Sequence, residues 1–225
     1  MKSLFRQNSI FIALSLLLAL SMGLALVLVP KGELHLWLCD RHTPARNIFY
    51  TYYTTVAEWF PYVVCVLLLL FGRVGDGVMA SACMAGTALT TQLFKHIINA
   101  PRPVTWFAQH LPDIQLPLVE GVRMNHWYSF PSGHTTSFFA LAFVACILLT
   151  SNPKISRIPG SLVQILLFAL AALGGYSRIY LSQHFTADVL AGLVVGMAVS
   201  TLIWVLFRPL EAKKWYKMHF FEKKV

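Results

Sequence analysis

Charge is what this chain has least of. Only 12% of its 225 residues are Asp, Glu, Lys or Arg, against about 25% in an average soluble domain. The apolar residues stand in long blocks, so the solvent they fit is a bilayer. Acids are scarcer than bases, 9 against 18, which leaves a net charge of +9. That excess does not read as a nucleic-acid surface. The cations sit at the ends of apolar blocks and are not interleaved with aromatics on one face. Cysteine is sparse as well: Cys39, Cys65, Cys83 and Cys146. Without a CxxC or Cys/His spacing they exclude a disulfide framework and a zinc site, and they read as small apolar core residues. There is no carboxylate cluster of the kind that holds Mg²⁺, no internal repeat and no low-complexity segment. The loops at 30–53 and 96–130 are too small to be separate domains, so 1–225 reads as one membrane-embedded domain.

Six apolar blocks are present, at about 10–29, 56–71, 78–95, 132–149, 162–177 and 186–207. A membrane helix needs about 20 residues. The second and fifth blocks fall short alone and are expected to extend into Tyr52–Trp59, and into Ser161 or Tyr176–Tyr180, where aromatics suit the headgroup zone. Lys2 and Arg6 before an apolar run imitate a signal peptide. That run is too long for a signal core of about 7–15 residues, so it reads as a retained first span. With a cytoplasmic N-terminus, Lys2, Arg6, Arg73, Lys154, Arg157, Arg208, Lys213, Lys214, Lys217, Lys223 and Lys224 fall inside. Lys31, Arg41, Arg46, Lys95, Arg102, Arg123 and Arg178 fall outside. The expectation is an all-α bundle of six transmembrane helices, both termini cytoplasmic.

On that topology three motifs reach the same outer face. Lys95 and Arg102, the latter bracketed by Pro101 and Pro103, offer a point charge and a bidentate fork. Alone they read better as snorkelling cations at a headgroup boundary. Pro131-Ser132-Gly133-His134 opens an apolar block. Its glycine admits a ligand to the backbone, and free N–H groups at a helix start favour an anion. In the third stretch Ser177 and Arg178 precede His184, and Asp188 follows four residues later, one helical turn away. A carboxylate on one ring nitrogen would fix the tautomer and leave the other nitrogen free to attack. Asp188 is also the one acid in its apolar block, and ionisable groups in such blocks are functional by default.

The set Lys-x6-Arg-Pro, Pro-Ser-Gly-His and Ser-Arg-x5-His-x3-Asp resembles the type 2 phosphatidic acid phosphatase superfamily at every motif position from Lys95 to Asp188. The resemblance implies residue roles. His184 would be the nucleophile and form a phosphohistidine, Asp188 would orient it, and His134 would be the general acid. Lys95, Arg102, Ser132, Gly133 and Arg178 would cradle the phosphoryl oxygens; Ser177 belongs to the motif without a defined role. No metal and no cofactor is implied. Glu58, His126, Trp127 and Tyr128 are candidates for substrate contact, and the aromatics read more readily as interface anchors.

The expected function is an inner-membrane phosphatase acting on a lipid phosphate or diphosphate at the outer, periplasmic face. Candidate substrates are undecaprenyl diphosphate, phosphatidylglycerophosphate, phosphatidic acid and lipid A. A lipid-to-lipid phosphotransferase would use the same residues. A lipid or anion transporter is disfavoured, because the charges gather at one face with no polar track through the cytoplasmic half. The soluble vanadium haloperoxidases of the superfamily do not fit the apolar spans.

Overall fold

The computed structural model describes residues 6–150 and 160–221. Lys2, Lys154, Arg157, Lys223 and Lys224, which the charge count places inside, lie outside the described residues. The described chain is helical and contains no strand, only an isolated bridge between Arg73 and His219. In chain order the helices are α1 (Ser9–Leu28), α2 (Lys31–Cys39), α3 (Pro44–Phe71), α4 (Val74–Ile98), α5 (Pro103–His110), α6 (Gly133–Thr150), α7 (Gly160–Tyr180) and α8 (Thr186–Phe207). A 3₁₀ turn (Arg208–Ala212) and α9 (Lys214–Lys217) follow.

Local chemistry sets several of these ends. Proline opens α3 and α5, where its missing N–H costs nothing. The Thr43 hydroxyl accepts from the Arg46 N–H at 3.3 Å. Asn99 closes α4 in the left-handed region at φ 43. The start of α1 is held from another element: Gln164 Oε1 accepts from the Ile10 and Phe11 N–H groups at 3.0 and 3.2 Å.

Five of the described helices are long and apolar enough to cross a membrane: α1, α3, α6, α7 and α8, the last counted together with the 3₁₀ turn. The expectation of six is met in part. The block at 78–95 does form α4, with 25 residues. It is diluted by Thr87, Thr90, Thr91, Gln92 and Lys95 and by Asp76 in its first turn, so length alone recommends it as a span. The second block also differs. It begins eight residues before the expected aromatic extension, at Pro44, because Thr43-Pro44 is a cap and first-turn pair that hydropathy does not register. Most of the supposed first loop is therefore α2 and the start of α3, and α5 fills part of the third.

α6 is the buried axis: 56% of its span window is enclosed, against 11% for α1. Phe139 and Phe143 lie on it, with Phe11 of α1 stacked on Phe143 at 5.7 Å. α8 approaches its N-terminal half closely. A Cβ on Gly192 would stand 2.7 Å from the Ser132 carbonyl oxygen, and one on Gly196 2.8 Å from that of Thr136. At the other end, the Tyr216 hydroxyl donates to Asp76 Oδ1 at 3.0 Å, and Arg73 pairs with the same carboxylate at 2.7 Å. This fastens the C-terminal segment to the start of α4.

Candidate active site

The end of α4, the start of α6, the end of α7 and the start of α8 meet at one end of the bundle. Between them and the N-terminal half of α3 lies a cavity of about 380 Å³. Lys95, Arg102, Arg123, His134, Arg178 and His184 line it. Residues from all three motifs therefore share one wall, although up to 89 positions separate Lys95 from His184.

His184 sits in the turn at 181–185, not on the helix. It is 1% exposed. The Gln183 and His184 N–H groups both donate to the Arg178 carbonyl, at 2.9 and 3.1 Å. This folds the turn back on the end of α7. Asp188 is at the third position of α8, and its Oδ2 accepts from the Phe185 N–H at 2.9 Å. The ring nitrogen Nδ1 of His184 lies 3.5 Å from Asp188 Oδ2, too long for a tight direct bond. Ser129 fills the gap. Its hydroxyl donates to Asp188 Oδ2 at 2.6 Å, and its oxygen is 3.4 Å from His184 Nδ1. Carboxylate and hydroxyl together hold a proton on Nδ1 and leave Nε2 with its lone pair. Burial pushes the imidazole down to about 3, with the nearby Asp188 carboxylate opposing, so His184 is neutral at physiological pH.

The cations are fixed. Arg102 and Arg178 are each 7% exposed. Arg102 Nε donates to the Trp127 carbonyl at 3.1 Å, and one terminal nitrogen donates to Gln183 Oε1 at 2.9 Å. Burial lowers the Arg102 pKa, and Asp188 offsets part of that shift. Arg178 donates to Thr54 Oγ1 at 2.6 Å, while its Nε is buried with no hydrogen-bond partner among the described residues. Such a donor is costly unless an acceptor arrives. Lys95 is half-buried, and its Nζ would lie 3.9 Å from a Cβ on Gly133.

The second motif divides its roles. His134 faces the cavity, and its Nε2 meets Glu58 Oε1 on α3 at 3.1 Å. Ser132 is fully buried. Its hydroxyl oxygen accepts from the Thr135 hydroxyl at 2.8 Å and does not line the cavity. It works as the helix cap, and its N–H donates to the Asp188 carbonyl at 2.9 Å, tying the second motif to the third. Ser177 also turns away from the site: its hydroxyl donates to the Gly174 carbonyl at 2.6 Å within α7.

Two groups here escape sequence reasoning. Ser129 lies just before the second motif with nothing to distinguish it from any loop serine. His35, on α2, is 1% exposed and reaches Ser182 Oγ from Nε2 at 3.2 Å. Ser182 has φ 50, uncommon for a residue with a side chain, and its hydroxyl donates to the Pro117 carbonyl at 3.1 Å. The hydroxyl therefore accepts from His35, which carries its proton on Nε2. His35 Nδ1 is buried without a partner among the described residues. The only trace in the sequence is a histidine inside a short apolar stretch, which is ordinarily a core residue.

Among the described residues no three His, Cys, Asp or Glu side chains are grouped to hold a metal ion. A sequence model of the PAP2 superfamily matches residues 76–211, more than half of the chain. The chain is 25% identical over 179 residues to a lipid A 4'-phosphatase of Porphyromonas gingivalis, covering 72% of each. It is 33% identical over 132 residues to a putative undecaprenyl-diphosphatase of Escherichia coli, covering 52% of this chain and 60% of that one. The transmembrane PAP2-type phosphatidylglycerolphosphate phosphatase of Bacillus subtilis shares the fold, with a TM-score of 0.66 over 93% of this chain and 100% of that one, at 22% identity.

Proposed function

The chain belongs to the PAP2 superfamily, and from that premise we propose that it is an integral membrane phosphatase that hydrolyses a lipid phosphate or diphosphate through a phosphohistidine. The observation that carries this reading is His184. It is a buried neutral imidazole with Nδ1 held from behind by Ser129 and Asp188, and it faces a cavity lined by Lys95, Arg102 and Arg178.

The chemistry follows from that arrangement. The fixed cations hold the phosphoryl oxygens, and the charge that builds on them in the transition state is met by donors already in place. His184 Nε2 attacks phosphorus, and the bond from phosphorus to the lipid-side oxygen breaks. His134, which lines the same cavity, gives its proton to the departing oxygen. Asp188 balances the positive charge left on the phosphorylated ring. In the second half a water attacks phosphorus, His134 takes its proton, the P–N bond breaks and inorganic phosphate leaves. The cations supply the electrostatic part that a metal ion supplies elsewhere, so this cycle is metal-independent. We place the site at the outer face of the cytoplasmic membrane, with both termini inside, on the distribution of Lys and Arg.

The test is phosphate release from a panel of lipid phosphates in detergent, with and without EDTA. Release that survives EDTA is expected. Loss of activity in EDTA that Mg²⁺ restores would overturn the metal-free cycle. Phosphate appearing on an acceptor lipid and not in solution would make the protein a phosphotransferase.

A further inference from the structure

The catalytic cavity has a neighbour. A second cavity, of about 410 Å³, shares Lys95, Arg102 and Asn125 with it and is otherwise lined by Gln92, His96, His126, Trp127 and Tyr128. The cycle above uses none of those five. Trp127 and Tyr128 are 45% and 44% exposed.

The wall that carries these aromatics is built, not loose. The Arg102 N–H donates to the His126 carbonyl at 2.8 Å, and Arg102 Nε to that of Trp127 at 3.1 Å. The Ser129 N–H donates to the Ala100 carbonyl at 3.0 Å. The His96 ring meets the Tyr128 ring edge-on at 5.3 Å, and His126 Nδ1 is 3.1 Å from Thr105 Oγ1. Tyr128 is held at φ 59. An anchor at the membrane surface needs none of this stitching. The same backbone that fixes the phosphate-facing Arg102 fixes the aromatic rim.

The lining selects an occupant by its chemistry. Beyond the two shared cations it adds no Lys or Arg, so a second phosphate would find no fork of its own. It is too polar for an acyl or prenyl chain, which would strand amide and imidazole groups against hydrocarbon. Amide, imidazole and phenol groups satisfy hydroxyls, and open aromatic faces pack on apolar C–H surfaces. We propose that this second cavity is a subsite for a neutral, hydroxyl-rich headgroup, a saccharide ring whose phosphate lies on Lys95 and Arg102. The substrate class is then a phosphorylated glycolipid. This rests on the phosphatase reading above.

The test compares substrates that share the phosphate and differ beside it. The full-length protein in detergent is given a lipid-linked disaccharide phosphate monoester, phosphatidylglycerophosphate, and a polyprenyl diphosphate that has no hydroxyls. Trp127→Ala should raise KM for the disaccharide phosphate roughly tenfold, the loss of one aromatic contact. Its kcat should stay within about twofold of wild type, and its KM for the polyprenyl diphosphate should not change. Trp127→Phe should restore most of the loss. Gln92→Ala, on an exposed position of α4, should shift KM the same way. Unchanged turnover of the polyprenyl diphosphate shows that each variant is folded. Equal KM increases on all three substrates would make Trp127 a membrane anchor and overturn the subsite. So would a wild-type enzyme that hydrolyses the polyprenyl diphosphate but not the disaccharide phosphate, or no KM change in either Trp127→Ala or Gln92→Ala. Failure of the wild type to release phosphate from any of the three would sink the phosphatase reading itself.

Discussion

At the scale of single residues, the turn that carries His184 leans on two side chains outside the motifs, Ser129 and His35. Lys95, Arg102, His134, Arg178, His184 and Asp188 stand out because charge is rare in this chain. Ser129 and His35 are of common types in unremarkable places, and only the folded backbone brings them to the turn that carries His184. Ser129→Ala would leave His184 Nδ1 and Asp188 3.5 Å apart with nothing between them. Losing a buried hydrogen bond to a charged group costs about 1–3 kcal/mol, so kcat should fall roughly 5- to 100-fold with little change in KM. Steady-state kinetics on the best substrate checks this. His35 carries a pH dependence. Burial holds it at about 4, below its ordinary 6.5, with Asp188 opposing and Lys31 adding to the shift. Above 6.5 it is neutral both folded and unfolded and contributes no slope. Between 6.5 and about 4 the unfolded chain binds the proton and the folded chain does not. Stability therefore falls as pH falls through that window, by at most about 3 kcal/mol. His35→Gln keeps a donor for Ser182 and removes the titration. Its Tm should drop less than that of wild type between pH 6.5 and 4.5, and an equal drop would contradict the assignment.

Among the elements, periodicity and hydropathy recovered α1, α6, α7 and α8 to within a few residues. They missed the first turns of α3, and α2 and α5 altogether. Those pieces are short or begin on cap chemistry, and their apolar residues are too few to form a block. Nor did hydropathy anticipate how α8 meets α6. Gly192 lies against the Ser132 carbonyl, the same residue whose N–H is bonded to Asp188. A side chain there meets backbone, which cannot move aside as a side-chain tip can. Gly192→Val should therefore push the second motif away from the third, lowering both Tm and kcat. Gly23→Ala, where nothing lies within 4 Å, should change neither. Thermal unfolding in detergent, read beside turnover, distinguishes a damaged interface from a damaged site. The C-terminal clasp is expected to behave differently. Tyr216→Phe removes one hydrogen bond to Asp76 far from the cavity, and should cost about 1 kcal/mol of stability with kcat unchanged.

For the molecule as a whole, the proposed sidedness rests on charge asymmetry and the proposed chemistry on site geometry, and each can be tested without the other. Gln115 is exposed in the loop beside the cavity, and Lys214 is exposed at the opposite end of the bundle. The native cysteines are buried, so a cysteine placed at either position is the reactive one. Gln115→Cys should react with a membrane-impermeant thiol reagent in intact cells, and Lys214→Cys only after the membrane is opened. The reverse pattern would move the site to the inner leaflet while leaving its chemistry intact. The proposed chemistry centres on a bond between phosphorus and His184, and the most direct measurement is to trap it. The protein is mixed with a ³²P-labelled lipid phosphate, quenched in denaturant at alkaline pH, and mapped by peptide. Label should appear on the peptide containing His184, stable to base and lost in acid. It should be absent from His184→Ala and persist longer in His134→Ala, where the water is no longer activated. Turnover without label on any histidine, or label that survives in His184→Ala, would contradict the mechanism.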